Sequence, residues 1–234
     1  METVERTPLV SGGLRIEGPS RDTLADRAYR SIRIAIINRE LVPDRYYSEA
    51  WLAGLLGVSR TPTHYALLQL ELEGIVEIVA QRGFRVRQIP QSEFEEFYEL
   101  RILLETNVLR KLAPAVEEES LATLRDFLER QRRVVEDPIT FQDLDEGFHR
   151  FMAETAGLHR TAAIIHSLRG ILWLGTSTRP ASEREAVVDE HAAIVEGLAA
   201  RDPEAAVAAL VRHLRTSQER YKAMVEETEA SAAS

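Results

Sequence analysis

The spacing of apolar positions predicts helices along most of the chain. From Asp22 to about Asn38 apolar residues recur every three to four positions, the period of an amphipathic helix. Residues 1–20 show no sustained period and contain three Gly and two Pro, so we expect a mobile N-terminal tail there. The apolar face of the first helix is formed by Leu24, Ala28, Ile32 and Ala35.

Two shorter helical patterns follow, joined by about four residues. Ser48 is a suitable N-cap for the first pattern, and Gly57 ends it. The second begins near Ser59 or Thr61 and ends at Gly74. Two helices joined by a short connection that contains glycine form the layout of a helix-turn-helix motif. The apolar residues of this pair, expected in the core, are Ala50, Trp51, Leu52, Leu55, Leu56, Ala66, Leu67 and Leu70.

The period changes after Gly74. Residues 75–79 and 84–87 alternate between apolar and polar side chains and predict a small β-hairpin. Its tip and second strand carry Arg82, Arg85 and Arg87, with no acidic residue among them. Three helices followed by a basic hairpin predict a winged helix-turn-helix, which we place at residues 21–89.

From residue 92 onward only helical patterns occur. They predict an all-α bundle of about six helices at residues 90–228, followed by a frayed tail at 229–234. The fold class is therefore mainly α, with an N-terminal winged helix-turn-helix and a C-terminal all-α helical bundle. The predicted breaks between helices are at Ala113-Pro114, Asp137-Pro138, Gly157, Arg179-Pro180 and Asp202-Pro203.

Composition is that of a globular protein, with 44% hydrophobic and 29% charged residues among 234. No run reaches the eighteen or so apolar residues of a membrane span, and the N-terminus lacks the pattern of a signal peptide. We therefore expect a cytoplasmic protein with no membrane partner.

The net charge of −9 is unevenly distributed. Residues 1–90 carry 12 Arg and 11 acidic residues, a net charge of +1, whereas residues 91–234 carry 17 basic and 27 acidic residues, a net charge of −10. The net charge argues against a protein that coats nucleic acid or an anionic membrane by bulk electrostatics, but the two regions differ in character.

The segment from Leu55 to Gly74, with G-V-S-R-T-P at residues 57–62 and L-E-L-E-G at 70–74, strongly resembles the GntR family of bacterial transcription regulators. The resemblance spans residues 21–88 and implies a winged helix that binds double-stranded DNA, as a homodimer on a palindromic operator. Exposed N–H groups at the start of the second helix favour phosphate, and an Arg there can reach a guanine edge. The predicted DNA-binding residues of this helix are Ser59, Arg60, Thr61 and His64.

At the tip of the wing, Arg82 and Gly83 suit the minor groove or the adjacent phosphates, since Gly83 permits close approach of backbone. The family usually has Arg where this chain has His64 and Glu where it has Tyr65. The operator sequence therefore does not transfer from the resemblance.

Four polar residues of the second region fall inside apolar stripes. They are Asp145, His149, His191 and His213. The last two lie at equal distances, about 16 Å along the helix axes, on either side of the break at Asp202-Pro203, so an antiparallel helical hairpin would make them face each other. The chain has no Cys, so any metal site uses His, Asp and Glu. One Asp and three His suit a divalent ion such as Zn²⁺, Ni²⁺, Mn²⁺ or Fe²⁺.

The motifs D-E-G-F-H at 145–149, D-E-H at 189–191 and R-H at 212–213 resemble the FCD-type effector domain of the FadR-like branch of these regulators. The resemblance spans about residues 92–226 and implies a metal held by those four residues, which helps to bind a small organic acid. Arg101 is a candidate for the acid's carboxylate, although it could equally pair with Glu105 one turn on.

These expectations together describe a metabolite-responsive transcription regulator that is not an enzyme, and by resemblance a repressor released from DNA by a small organic acid. Two alternatives remain open. A metal-dependent enzyme acting on a small carboxylate would use the same residues. A DNA-binding protein with a purely structural helical domain would hold no metal. His159 and His166 match no ligand position, and Gly147 weakens its helix for no reason visible in the sequence.

Overall fold

A computed structural model of the chain describes residues 22–43, 45–176 and 179–232, with side chains described in 22–43, 45–168 and 179–223. The chain divides into two compact units between Gln88 and Ile89. Within the described ranges the structure is helical apart from three short strands, which confirms the predicted fold class. The predicted tail at residues 1–20 lies outside the described residues.

The first unit begins with three helices, whose ends follow the capping signals in the sequence. Thr23 Oγ1 accepts a hydrogen bond from Asp26 N, and the Asp26 carboxylate accepts one from Thr23 N, which forms a capping box. Ser48 caps the second helix, and Gly57 ends it with a left-handed φ of 70°. The helices are α1 (Leu24–Ile37), α2 (Glu49–Leu56) and α3 (Arg60–Leu72).

A three-stranded antiparallel sheet completes this unit. Its strands are β1 (Tyr46–Tyr47), β2 (Val76–Val79) and β3 (Gly83–Val86), in the spatial order β1-β3-β2. The β2–β3 hairpin is the predicted wing. Strand β1 was not predicted, because two residues are too short to show an alternating pattern.

Two residues of α2 that the sequence analysis expects in the core are exposed. Ala50 is at the surface, and Trp51 is 38% exposed, with its ring stacked on Tyr47 at 5.3 Å between centroids. The expectation was wrong because α2 has only eight residues, nearly all apolar, so its pattern does not reveal which face is buried. Leu52 and Leu56 occupy that face.

The second unit is a bundle of helices around one hydrophobic core. Each predicted break falls between two of them, because Pro and Gly interrupt the helical hydrogen bonds there. Helix α9 continues to Ala232 and so includes residues 229–232 of the segment predicted as a tail. The helices are α4 (Gln91–Leu112), α5 (Glu118–Arg133), α6 (Pro138–Thr155), α7 (His159–Thr176), α8 (Ala181–Ala199) and α9 (Pro203–Ala232), with one 3₁₀ turn at Ala113–Ala115.

Helices α8 and α9 form an antiparallel hairpin that is unusually close at Gly197. A Cβ atom on Gly197 would lie 2.5 Å from Ala206 N and 2.7 Å from Ala206 Cα. Both are backbone atoms, which no side-chain movement can displace. The glycine therefore allows the two helix backbones to meet just beyond the turn at Asp202-Pro203.

We expect Gly197→Ala to lower the free energy of unfolding by about 1–3 kcal/mol, the usual cost of adding a methyl group where the packing has no room for it. Thermal unfolding of the full chain measures the change. Gly54→Ala is the matched control, since nothing lies within 4 Å of a Cβ at Gly54 in helix α2. That variant should be stabilised by roughly 0.5–1 kcal/mol, and equal effects of the two substitutions would contradict the packing argument.

A second close approach explains Gly147. A Cβ on this residue would lie 3.0 Å from Phe127 Cε1, so the glycine allows α6 to pack directly on an aromatic ring of α5. The loss in helix propensity is offset by this contact. None of the helices in the described part of the chain has the length and apolar character needed to cross a lipid bilayer.

Candidate metal centre

Three helices of the second unit bring Asp145, His149, His191 and His213 together in its core. Asp145 and His149 lie one turn apart on α6, His191 lies on α8 and His213 on α9. One potential ligand atom from each residue lies within 4.8 Å of the other three, and the four residues are between 0% and 7% exposed. The rings of His191 and His213 are 4.6 Å apart between centroids, which is the facing arrangement expected of the α8–α9 hairpin.

The inner atoms of the cluster are close together. His149 Nε2 lies 3.3 Å from His191 Nε2, and His191 Nε2 lies 3.3 Å from Asp145 Oδ1. At such distances two imidazole nitrogens that both act as acceptors repel each other unless a cation or a proton lies between them.

Each imidazole has a hydrogen-bond acceptor on its outer side. His149 Nδ1 contacts Glu105 Oε2 on α4, and His191 Nδ1 lies 3.2 Å from Gln131 Oε1 on α5. His213 Nδ1 lies 2.8 Å from Glu190 Oε2 on α8. Because the carboxylates of Glu105 and Glu190 can only accept, the ring N–H of His149 and His213 is at Nδ1, which leaves their Nε2 lone pairs free for a ligand. In His191, Nε2 also faces Asp145 Oδ1, and a metal ion in the cluster would require the tautomer with its N–H toward Gln131.

Burial favours the neutral form of two of these imidazoles, His149 and His213. It lowers the pKa of His149 from its ordinary 6.5, although the Glu105 carboxylate acts in the opposite direction. Burial also places the pKa of His213 well below 6.5, and the neighbouring His149 and Arg101 lower it further. Neutral imidazole is the form that binds metal ions, so the protonation state suits a cation and not a shared proton.

The four residues fit a divalent metal ion. They supply one carboxylate oxygen and three imidazole nitrogens, a donor set suited to Zn²⁺, Ni²⁺, Mn²⁺ or Fe²⁺. The outer acceptors on Glu105, Gln131 and Glu190 are the groups that orient ligating histidines in metal sites. The cluster could therefore hold a metal ion.

A small cavity of about 20 Å³, enough for about one water molecule, lies beside the cluster. Arg101 lines it and also pairs with Glu105, with Arg101 Nε 2.7 Å from Glu105 Oε1. The structure shows the pairing with Glu105 that the sequence allows for Arg101, while a contact of Arg101 with an acid's carboxylate stays a prediction. Arg184 is held by the backbone carbonyls of Val135 and Arg179. The cavity is lined by Tyr98, Arg101, Asp145, Arg179, Arg184 and His213, among others.

The remaining histidines of the second unit lie outside the cluster. His159 is exposed at the start of α7, and the partly exposed His166 contacts Glu146 through Nδ1. Neither was expected to be a ligand.

In the first unit, the predicted DNA-binding residues of α3 are exposed. Ser59 occupies the N-cap position without a side-chain hydrogen bond to the helix, and Arg60 and Thr61 follow in the first turn. His64, one turn on, has Nδ1 3.2 Å from Glu49 Oε1 of α2. These side chains form one polar surface at the start of the helix.

The wing places its basic residues differently. Arg82 is exposed at the tip, with its guanidinium 5.3 Å from the centre of the Tyr46 ring. Arg85 lies opposite Glu77 of the neighbouring strand, and its Nε is 2.8 Å from Glu77 Oε2. The charge of Arg85 is therefore compensated by Glu77, a pairing that the sequence pattern of the hairpin did not predict. A Cβ on Gly83 would lie 2.1 Å from Tyr47 O, and Gly83 has a φ of 98°. The packing of β1 on β3 is therefore sufficient reason for a glycine here, whether or not the residue contacts DNA.

Comparison with known proteins covers both units. Residues 24–86 match the model of the bacterial regulatory proteins of the gntR family, and residues 96–216 match the model of the FCD domain. An HTH-type transcriptional regulator from the TAR-I ttuE-ttuC' intergenic region of Agrobacterium vitis is 34% identical over 134 residues, which cover 55% of this chain and 78% of the relative.

Two further proteins match most of the chain. The HTH-type transcriptional repressor RspR of Escherichia coli K12 is 26% identical, over 85% of this chain and 89% of its own length. Among solved structures, E. coli McbR/YncC superposes with a TM-score of 0.71 at 18% identity, covering 87% of this chain and 99% of the other. At that identity the likeness concerns the fold alone.

Proposed function

The chain belongs to the GntR family of bacterial regulatory proteins and carries an FCD domain, so we infer that it is a DNA-binding transcription regulator. We propose further that it is a repressor, and that a small organic acid bound beside a metal ion releases it from DNA. The relative RspR is named a repressor, which supports that sign of regulation. The matching proteins are regulators, so the family favours regulation over the enzyme interpretation.

The observation that carries the proposal is the grouping of three buried imidazoles around one buried carboxylate. Asp145, His149, His191 and His213 would hold the metal ion. With the N–H of both rings at Nδ1 and no cation present, the facing Nε2 atoms of His149 and His191, 3.3 Å apart, would be two acceptors in contact. A bound divalent ion supplies positive charge at the floor of the cavity, where it attracts a carboxylate.

Arg101 provides the second attraction for an acid. It is buried and lines the cavity, and its Nη2 has no hydrogen-bond partner in the part of the chain that the structure describes. A buried guanidinium N–H without a partner is costly and favours an anionic acceptor. Since the cavity has room for about one water molecule, an acid that enters must displace lining side chains. We expect this displacement of side chains to change the affinity of the protein for DNA.

We propose that the protein acts as a homodimer on a palindromic operator in the bacterial cytoplasm. Two recognition helices, one α3 from each protomer, would then have to match the spacing of two half-sites. An acid can release DNA only if it binds one dimer arrangement more tightly than the other, because differential affinity is what couples two sites.

A screen of small carboxylic acids tests the effector proposal. Thermal unfolding of the full chain is measured with each acid, with and without one equivalent of Zn²⁺, since a ligand of the native state raises the midpoint by mass action. An acid that stabilises only the Zn²⁺-loaded protein, and that lowers its affinity for DNA, is the expected result. Protein that binds no metal ion would support the purely structural helical domain instead.

Arg60→Ala is expected to weaken DNA binding by about 1–3 kcal/mol, the value of a bidentate contact to a base edge. The side chain is exposed in the first turn of α3, next to N–H groups that suit phosphate. The measurement is fluorescence anisotropy with a duplex selected by the wild-type protein from a random library.

Arg60→Lys is the matched variant for this contact. Lysine keeps the positive charge and loses the planar pair of donors, so a base contact predicts a loss close to that of alanine. Retention of wild-type affinity by Arg60→Lys would show that the residue binds phosphate, and retention by Arg60→Ala would remove it from the interface.

A further inference from the structure

The two carboxylate oxygens of Glu105 contact different residues. Its Oε1 accepts from Arg101 Nε at 2.7 Å, and its Oε2 accepts from His149 Nδ1. The carboxylate is fully buried, and both partners are buried with it. One negative charge is thus shared between a cation that lines the cavity and a residue of the metal cluster.

We propose that Glu105 couples the cavity to the metal cluster, so that an anion bound at Arg101 tightens the hold of the cluster on its metal ion. This inference rests on the proposed function, since it requires that the cluster binds a metal and the cavity an acid. It goes beyond that function because it names the residue through which the two ligands affect each other and gives the sign of the effect.

The sign follows from the competition for Glu105. In the structure, Arg101 neutralises part of the carboxylate charge that would otherwise act on the N–H of His149. An anion at Arg101 Nη2 offsets the guanidinium charge, so Glu105 becomes a stronger acceptor for His149. A stronger acceptor on the outer side of an imidazole makes its inner nitrogen a better metal ligand. By reciprocity, the metal raises the affinity of the cavity for the anion by the same factor.

A second carboxylate, Glu190, contacts an arginine and a histidine of the cluster in the same way, but away from the cavity. Glu190 Oε2 lies 2.8 Å from His213 Nδ1, and Glu190 Oε1 accepts from Arg220 Nη2 at 2.7 Å. Arg220 does not line the cavity formed by the described residues. Glu190 therefore supports a metal ligand as Glu105 does, but an anion in the cavity has no direct contact through which to change its charge.

The two carboxylates give a matched pair of variants, Glu105→Gln and Glu190→Gln. The affinity for Zn²⁺ is measured on the full chain by competition with a chromogenic chelator, once in sodium acetate and once in sodium chloride at equal ionic strength. Each substitution should weaken Zn²⁺ binding by about 10–100-fold, because each removes a carboxylate that orients a ligand. Acetate is the probe for the cavity.

The decisive quantity is the ratio of Zn²⁺ affinities in acetate and in chloride. We expect acetate to tighten binding about fivefold or more in the wild type and in Glu190→Gln, and to have a clearly smaller effect in Glu105→Gln. Equal ratios in the two variants, or no effect of acetate on the wild type, would overturn the coupling through Glu105. A wild-type chain that binds no Zn²⁺ would overturn the proposed function as well, so the two failures are distinguishable.

Arg101→Met provides a second measurement if Glu105→Gln does not fold. With the competing guanidinium removed, Zn²⁺ binding in chloride should become tighter than in the wild type, and acetate should no longer change it. Arg220→Met, in which the cavity keeps Arg101, should retain the response to acetate. A full response to acetate in Arg101→Met would contradict the proposal.

Discussion

His191→Ala is expected to remove metal binding and the response to acid while the protein still binds DNA. His191 is central to the cluster, since its Nε2 lies 3.3 Å from both His149 Nε2 and Asp145 Oδ1. Loss of a direct ligand should exceed the roughly 10–100-fold loss in affinity that outer-sphere changes cause. The first unit has a core of its own, so the winged helix-turn-helix should keep its fold.

The measurements are metal content after dialysis and anisotropy on the selected duplex, with and without the acid found by thermal shift. His159→Ala is the control, because His159 is an exposed histidine of the same unit. It should keep one metal equivalent and full release by the acid. A full metal equivalent in His191→Ala would show that the cluster of Asp145, His149, His191 and His213 is not the ligand set.

Chelation of the metal is expected to lower the stability of the second unit substantially. A ligand present at 100 times its dissociation constant stabilises the native state by about 2.7 kcal/mol, and its removal reverses that gain. The cluster joins α6, α8 and α9, so the loss falls on the core of the bundle. For a chain of this size we expect the unfolding midpoint to fall by roughly 5–10 °C.

Scanning calorimetry with and without a chelator measures that shift, and the His191→Ala variant serves as its reference. A chain without a metal site has nothing to lose, so the chelator should leave the midpoint of His191→Ala unchanged. Identical shifts in both proteins would mean that the chelator acts on something other than the cluster.

Much of this fold is encoded in local sequence patterns. Pro or Gly lies at each of the five predicted breaks in the second unit, and the helical period alone places His191 in a buried stripe. The equal distances of His191 and His213 from the turn at Asp202-Pro203 predict their contact, because an antiparallel helical pair has a simple geometry. Such features depend on short stretches of chain or on one hairpin.

The outer partners of the histidines could not be predicted in the same way. Glu105, Gln131 and Glu190 belong to three helices and bear no fixed spacing to the rings that they contact. Glu190 illustrates the difficulty, since it follows Asp189 and precedes His191, yet it supports His213 on the next helix. Its neighbour His191 would be an equally plausible partner from the sequence, but the packing of α8 on α9 brings Glu190 to His213 instead.

The glycines show the same limit. From the sequence, Gly147 only weakens its helix, and its contact with Phe127 appears only in the structure. Likewise, nothing in the sequence around Gly197 predicts its close approach to the backbone of Ala206. A close approach between helices depends on their crossing point, which no local pattern encodes.

The contact of α8 and α9 at Gly197 makes the length of chain between His191 and His213 a constrained quantity. One residue inserted in either helix would rotate everything beyond it by about 100° and advance it by about 1.5 Å. The displaced imidazole would then leave the core and a surface side chain would replace it. Substitutions on the outer faces of this hairpin should therefore be tolerated far more readily than any single insertion or deletion within it.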